Sequence, residues 1–287
     1  MKLLVLSKDD SNVNIDSILK NYFNDIVYLK TKRFNFGKAE YYSTNFNSTR
    51  LIENQIREEL SKEKIDILFL EEFLSKDSKT LFQFDMDSTL IKEEVIDELA
   101  RMSGIYEKVA EITKNAMQGN LDFNSSLKER VKLLKGIPNN TFEELYQRLT
   151  ANDGVKEFTH EIKNFQSIRT IVSGGFIPIV EKFAKENSFQ EFRANQLEID
   201  DNDRFTGKVL GEIINKEKKR NLLIEFRDKY EITKSQTVAV GDGSNDSEMI
   251  LEAGIGIGFH AKQGLKDVIR NWIDYHSMES LIALYYS

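Results

Sequence analysis

Two carboxylates separated by one residue, Asp85 and Asp87, directly follow the apolar run 80–84. In an extended chain alternate side chains point to the same side, so these two carboxylates are expected to lie close together. Like charges at short range push their pKa values apart unless a cation lies between them. The pair therefore predicts a metal-assisted site or an acid–base site at the end of a short buried strand.

Two more segments with strand periodicity end in polar or glycine-rich sequence. Residues 167–172 lead into Ser-Gly-Gly at 173–175, and residues 237–240 lead into Gly-Asp-Gly-Ser-Asn-Asp at 241–246. Each motif alone also fits a tight turn or a helix N-cap. Because ligands bind beyond the carboxyl ends of parallel strands, the three motifs together predict one site.

The residue types at these strand ends suit a phosphate ester and a hard cation. Mg²⁺ typically binds one or two carboxylates and leaves its other positions to water and phosphate. The hydroxyl of Ser173 and the backbone N–H groups that follow it could bind phosphate oxygens. A lysine would neutralise the charge that develops during phosphoryl transfer, and the candidates are Lys216, Lys218 and Lys219.

The spacing of apolar residues predicts the elements that carry these motifs. Residues 1–78 alternate as strand, helix, two strands, helix and strand, which is typical of a ferredoxin-like α+β domain. Residues 94–156 are helical almost throughout, and strands separated by helices return after them. We therefore expect an α/β protein whose Rossmann-like parallel sheet, formed by residues 79–93 and 157–287, carries an inserted helical unit and is preceded by the ferredoxin-like domain.

Composition narrows the range of functions. With 40 basic and 47 acidic residues the formal net charge is −7, which disfavours a general nucleic-acid binder. The chain has no cysteine, so disulfides, thiolate metal sites and a cysteine nucleophile are excluded. No apolar run approaches the roughly 18 residues of a membrane span, and the apolar start of the chain is too short for a signal peptide. We therefore expect a cytoplasmic protein with no membrane partner.

The motifs resemble the four motifs of the haloacid dehalogenase (HAD) superfamily. The matching residues are Asp-Met-Asp-Ser-Thr at 85–89, Ser-Gly-Gly-Phe at 173–176, Lys219, which lies 23 positions before Asp242, and the 241–246 motif. Their order and spacing are similar to those of the phosphoserine phosphatases within that superfamily. The resemblance extends from about Thr80 to the end of the chain, and the inserted helices are similar to the family's helical cap.

The resemblance implies Mg²⁺-dependent hydrolysis of O-phospho-L-serine to serine and phosphate, the last step of serine synthesis. Asp85 would be the nucleophile that forms an aspartyl-phosphate, and Asp87 would be the general acid and then the general base. Mg²⁺ would bind the Asp85 carboxylate, the Asp87 backbone carbonyl and Asp242, with Asp246 and Asn245 in supporting positions. The implied substrate-binding residues are Glu94 for the ammonium group, Arg130 for the carboxylate, Phe123 as a shield over the site, and Ser173, Gly174, Lys219 and Asn245.

Residues 1–78 resemble the ACT-like regulatory domains attached to some members of the family. They carry Lys-Asp-Asp-Ser-Asn at 8–12, where such domains usually have a glycine-bearing turn. Serine binding and homodimer formation are the two roles that this resemblance leaves open. Two other functions of the whole chain stay open as well: transfer of the phosphoryl group to another hydroxyl, such as that of homoserine, and non-catalytic sensing of phosphoserine or serine.

Overall fold

The structure is a computed structural model that describes residues 1–117 and 120–286. Gln118, Gly119 and Ser287 belong to the predicted ranges 94–156 and 157–287 and lie outside the described residues. Within the described ranges, no helix is both long enough and apolar enough to cross a membrane.

The N-terminal part of the chain forms an antiparallel sheet and two helices: β1 (Lys2–Ser7), α1 (Ile15–Lys20), β2 (Val27–Phe34), β3 (Gly37–Ser43), α2 (Arg50–Ser61) and β4 (Asp66–Leu70). The strand order is β2-β3-β1-β4, and every neighbouring pair is antiparallel. Leu3 and Val5 on β1 pack against Leu19 and Ile56 of the two helices. This order and alternation confirm the predicted ferredoxin-like arrangement.

A second sheet follows, formed by β5 (Thr80–Phe84), β6 (Ser167–Phe176), β7 (Glu191–Ile199), β8 (Phe205–Leu210), β9 (Thr237–Gly241), β10 (Ile255–Phe259) and β11 (Asn271–Ile273). Its order is β11-β10-β9-β5-β6-β7-β8, and all neighbours are parallel except β7 and β8. The central strand β5 is buried along its whole length, as its continuous apolar run predicts. Because β5, β6 and β9 are adjacent and parallel, their carboxyl ends meet at one edge.

Helices connect the strands of the second sheet. Between β5 and β6 the described residues form α3 (Val95–Met102), α4 (Tyr106–Met117), α5 (Phe123–Lys132), α6 (Thr141–Tyr146) and α7 (Val155–Glu161). The later connections carry α8 (Ile177–Glu186), α9 (Lys216–Lys229), α10 (Ser247–Glu252) and α11 (Gln263–Lys266). Residues of α3, α4 and α5 face the edge where the strand ends meet, so these helices can close a site there.

Residues 74–78 connect the two sheets, and the start of this connection is held by the rest of the chain. Leu74 is buried, and its N–H donates to the carbonyl oxygen of Leu284 at 2.9 Å. The N–H of Tyr286 donates back to the carbonyl oxygen of Leu74 at 3.2 Å. The C-terminal residues therefore close over the start of the connection and join it to the hydrophobic core.

Candidate active site

Asp85 immediately follows β5 and lies at the centre of the site. Its backbone N–H donates to the carbonyl oxygen of Val240 at 2.9 Å, which holds the end of β5 beside β9. Its carboxylate lies 2.7 Å from Nζ of Lys219. Lys219, near the start of α9, is fully buried and also lies 2.6 Å from Asp246. A buried ammonium group requires such compensating charges. Lys219 on α9 therefore forms ion pairs with one carboxylate that follows β5 and one that follows β9.

Asp87 lies in a different environment from Asp85. Its Oδ1 atom is inaccessible to solvent and has no hydrogen-bond partner among the described residues. Burial, together with the carboxylates of Glu94 and Asp85, raises the pKa of Asp87 well above its usual range. The backbone approaches this carboxyl group closely, since a Cβ atom on Gly175 would lie 3.3 Å from Asp87 Oδ2. The protonated form of Asp87 is thereby favoured, whereas Asp85 is ion-paired with a lysine.

The loop after β9 is organised by Asp246. Its Oδ2 atom accepts the backbone N–H groups of Asp242 and Gly243, both at 3.1 Å. A Cβ atom on Gly241 would come within 2.4 Å of Cγ of Asp246, so only glycine leaves room for this carboxylate. Burial raises the pKa of Asp246 to about 7 and that of Asp242 to about 6.

Three carboxylates converge where a cation could bind. Oxygen atoms of Asp85, Asp242 and Asp246 lie within 4.8 Å of one another, and all three residues are buried. Carboxylate oxygen is the ligand type that hard divalent cations prefer. The raised pKa values of Asp242 and Asp246 indicate that their negative charge is only partly compensated by the protein. These residues therefore fit a divalent cation, and Asp246, expected only to support the site, belongs to the same cluster as Asp85 and Asp242.

The end of β6 carries the residues predicted to bind phosphate. Ser173 is buried, and its Oγ atom accepts the N–H of Gly175 at 2.9 Å. Gly174 lies under the ring of Phe123, because an added Cβ would be 3.0 Å from Cζ of that ring. The carbonyl oxygen of Gly174 accepts a hydrogen bond from Nδ2 of the buried Asn195 at 2.8 Å. The backbone around Gly174 is thus held from one side and covered from the other.

Two charged residues reach the site from the inserted helices. Glu94 precedes α3, and its Oε1 atom accepts a hydrogen bond from the hydroxyl of Ser88 at 2.9 Å. Arg130 lies in the last turn of α5, where Nε donates to the carbonyl oxygen of Ser126 at 3.4 Å. Burial lowers the pKa of Arg130. Glu94 and Arg130 therefore offer charges of opposite sign to a ligand that enters between the cap and the sheet.

A cavity of about 470 Å³ lies between the strand ends and the inserted helices. Two of the predicted site residues, Ser173 and Lys219, are fully buried. The other predicted residues line the cavity: Asp85, Asp87, Glu94, Phe123, Arg130, Gly174, Asp242 and Asn245. The structure therefore brings the predicted residues of the strand ends and of the cap to one place.

Lys262, Asp97 and Asn195 are candidate functional residues at the site that were not predicted. Lys262 lies in the segment after β10 and contacts Asp242. Recognition of β10 as a parallel strand would have placed Lys262 at the edge where the other strand ends meet. Asp97 lies three residues after Glu94 and lines the same cavity, which helical spacing could have indicated. Asn195 supports the backbone of Gly174, and nothing local in the sequence marks it.

The comparisons with known proteins agree with this geometry. The phosphoserine phosphatase of Archaeoglobus fulgidus is 38% identical over 233 residues, which are 81% of this chain and 67% of that relative. The phosphoserine phosphatase of Streptococcus thermophilus is 46% identical over 184 residues, which are 64% of this chain and 85% of that relative. The crystal structure of a HAD family hydrolase from Salmonella enterica serovar Typhi, 26% identical, has a TM-score of 0.87 and covers 100% of this chain and 99% of its own.

The family model that matches the chain is that of the haloacid dehalogenase-like hydrolases, over residues 82–250. This range begins in β5, ends in α10 and includes the three strand ends that form the site. The match spans more than half of the chain. The chain is therefore an enzyme of the haloacid dehalogenase-like hydrolase family.

Proposed function

We propose that this chain is a Mg²⁺-dependent phosphatase that hydrolyses O-phospho-L-serine to serine and phosphate. The observation that carries the proposal is the contrast between two carboxylates one residue apart. Asp85 is ion-paired with Lys219, whereas Asp87 is buried, has a raised pKa and carries an oxygen with no hydrogen-bond partner in the described part of the chain. A nucleophile must be ionised and a general acid protonated, so the contrast supports both roles. The names of the two phosphoserine phosphatase relatives support the substrate.

The reaction would proceed in two displacements at phosphorus. In the first, an Asp85 oxygen attacks phosphorus, the bond to the serine oxygen breaks, and the proton of Asp87 moves to that oxygen. In the second, Asp87 takes a proton from water, the water oxygen attacks phosphorus, and the bond to Asp85 breaks. Phosphate is released, and both carboxyl groups return to their starting forms. A Mg²⁺ ion bound near Asp85 would reduce the repulsion between the anionic phosphoryl group and the carboxylates.

The charges that line the cavity support the phosphate ester of an amino acid over the phosphate ester of an uncharged alcohol. Glu94 would bind the α-ammonium group of the substrate, and Arg130 would bind its carboxylate through two parallel hydrogen bonds. Phe123 would cover the reacting group, since its ring lies against Gly174. Ser173 and the backbone at Gly174 would hold the phosphoryl oxygens, with Lys219 and Asn245 beside them.

Replacement of the proposed nucleophile tests the mechanism. Asp85→Asn keeps the shape of the side chain but removes the attacking oxygen anion, so we expect Mg²⁺-dependent phosphate release to fall by about a thousandfold or more. The matched control is Asp201→Asn, a change in the exposed turn between β7 and β8 that should leave the rate unaltered. Phosphate release by Asp85→Asn at the rate of the unaltered protein would rule out the mechanism.

Product analysis separates the proposed function from its alternatives. A phosphatase should release serine and phosphate in equal amounts whether or not homoserine is present. Appearance of phosphohomoserine would identify a phosphotransferase, and binding of phosphoserine without any turnover would identify a sensor. Homodimer formation and an ACT-like role of residues 1–78 stay predictions from the resemblance.

A further inference from the structure

Lys262 makes contacts that the proposed mechanism does not use. Its Nζ atom lies 2.9 Å from Oδ2 of Asp242 and 3.4 Å from Oε1 of Glu94. Its backbone N–H also donates to the carbonyl oxygen of Asp242 at 2.9 Å. The residue is thus anchored to Asp242 at both its backbone and its ammonium group, and it lines the cavity.

The two carboxylates that Lys262 contacts belong to different parts of the molecule and have different proposed partners. Asp242 follows β9 and belongs to the carboxylate cluster that fits a divalent cation. Glu94 precedes α3 and is the proposed acceptor of the substrate ammonium group. Lys262 therefore lies between the position of a metal ion and the position of an organic cation, and its own charge is of the same sign as both.

The charge of Lys262 acts in opposite directions on the two kinds of ligand. An ammonium group in contact with Asp242 repels a divalent cation at that carboxylate and competes with it for the oxygen. The same ammonium group attracts a phosphate dianion that enters the cavity. The side chain of Lys262 is 55% exposed, so solvent reduces both effects and salt should reduce them further.

We propose that Lys262 is a positioning residue that balances charge in the site: it weakens metal binding at Asp242 and strengthens binding of the phosphoryl group. The inference deepens the proposed function and rests on it for the identity of the phosphate ester. It differs from the role of Lys219, which is fully buried between Asp85 and Asp246 and cannot leave them without exposing an uncompensated charge.

Calorimetric titrations of the full chain with Mg²⁺ alone, and with inorganic phosphate at saturating Mg²⁺, test the proposal. Lys262→Met removes the charge and keeps most of the apolar length of the side chain. We expect it to bind Mg²⁺ about fivefold more tightly and inorganic phosphate about fivefold more weakly. Lys262→Arg restores the charge and should bind both ligands within about twofold of the unaltered protein. The control Lys185→Met removes an equal charge from an exposed pair at the far end of α8 and should change neither affinity.

The opposite signs of the two changes distinguish the proposed role from a structural one. General loss of structure would weaken the binding of Mg²⁺ and of phosphate together. Weaker binding of both ligands in Lys262→Met and in a second variant, Lys262→Gln, would overturn the proposal. Unchanged Mg²⁺ affinity in both variants would overturn it as well. Neither titration depends on turnover, so failure of the unaltered protein to hydrolyse phosphoserine would refute the proposed function without affecting the comparison of affinities.

Discussion

The smallest change with a large expected effect at the site is the addition of one methyl group to Gly241. In Gly241→Ala the new Cβ would lie 2.4 Å from Cγ of Asp246, so this carboxylate would have to move. Movement would break its hydrogen bonds to the loop and its ion pair with Lys219. We expect Mg²⁺ affinity, measured by calorimetry, to fall about tenfold and the free energy of unfolding to fall by about 1–3 kcal/mol.

The control for this prediction is Gly264→Ala in α11. Outside the backbone of its own helix, no heavy atom of residues 1–117 and 120–286 would lie within 4 Å of a Cβ atom on Gly264, and alanine is the better helix former. We expect Mg²⁺ affinity to stay unaltered and the free energy of unfolding to stay equal or rise slightly. If both alanine variants bound Mg²⁺ as the unaltered protein does, Asp246 would not be a necessary part of the carboxylate cluster.

The pKa values of the cluster predict how Mg²⁺ binding depends on pH. The pKa is raised to about 6 for Asp242 and to about 7 for Asp246, chiefly by burial. At pH values between about 4 and about 7 the folded chain therefore holds more protons than the unfolded chain. The stability of the fold accordingly falls as pH rises through this range and these groups ionise. Because a metal ion competes with these protons, it restores more stability at the higher pH.

The measurement is the increase in melting temperature on addition of Mg²⁺ at several pH values between about 5 and about 8. We expect this increase to be small at about pH 5, to grow through the range in which Asp242 and Asp246 ionise, and to level off above about pH 7. An increase of equal size at every pH would show that the cation binds elsewhere, at groups already ionised in acid.

At the scale of single elements, the site could be predicted where a strongly apolar strand ends abruptly in polar residues. Residues 80–84 and 237–240 have this pattern, and the structure places both as neighbouring strands of one sheet. The strand β10 was missed because its sequence alternates isoleucine with glycine, which has low strand propensity. Its glycines are required by close packing: a Cβ on Gly256 would lie 2.1 Å from the carbonyl oxygen of Ile250. Such a contact cannot be derived from one sequence, and Lys262 was missed with the strand.

The junction between the two sheets could not be predicted either, because its contacts join residues far apart in the chain. The side chain of Asn271 on β11 accepts the N–H of Phe69 at 2.7 Å and donates to its carbonyl oxygen at 3.1 Å. It therefore pairs with β4 as another strand would pair. No periodicity marks an asparagine for this role, since its partner lies 202 positions away.

At the scale of the whole molecule, the N-terminal domain contacts the chain segment next to the active site. Arg50 on α2 donates to the carbonyl oxygen of Ile269 at 2.6 Å and also to that of Lys266. Arg57, which also belongs to α2, donates to the carbonyl oxygen of Arg270. These carbonyl groups belong to the segment that begins four residues after Lys262, so the first domain helps to fix the backbone that carries this lysine.

Trp272, the single tryptophan of the chain, reports on this junction. The guanidinium group of Arg57 lies 4.0 Å from the centre of its ring and 4.8 Å from that of Phe69, so it is held by aromatic rings from both sheets. In Arg57→Ala we expect the free energy of unfolding to fall by about 1–3 kcal/mol, through loss of the cation–π contacts and of the bond to Arg270. Tryptophan emission of the folded variant should shift to longer wavelength because water reaches the ring.

Denaturant titration followed by tryptophan fluorescence and by far-ultraviolet circular dichroism measures both effects. Leu4 and Tyr41 of the first sheet belong to the same hydrophobic cluster as Phe82 and Phe84 of the second. The unaltered chain should therefore unfold with coincident transitions in both signals, because neither sheet can separate without exposing that shared cluster. The control Arg33→Ala removes an exposed ion pair with Asp9 and should leave both signals unaltered. A fluorescence transition well before the dichroism transition in the unaltered chain would mean that the domains separate first, and the first domain could then not fix the segment after Lys262.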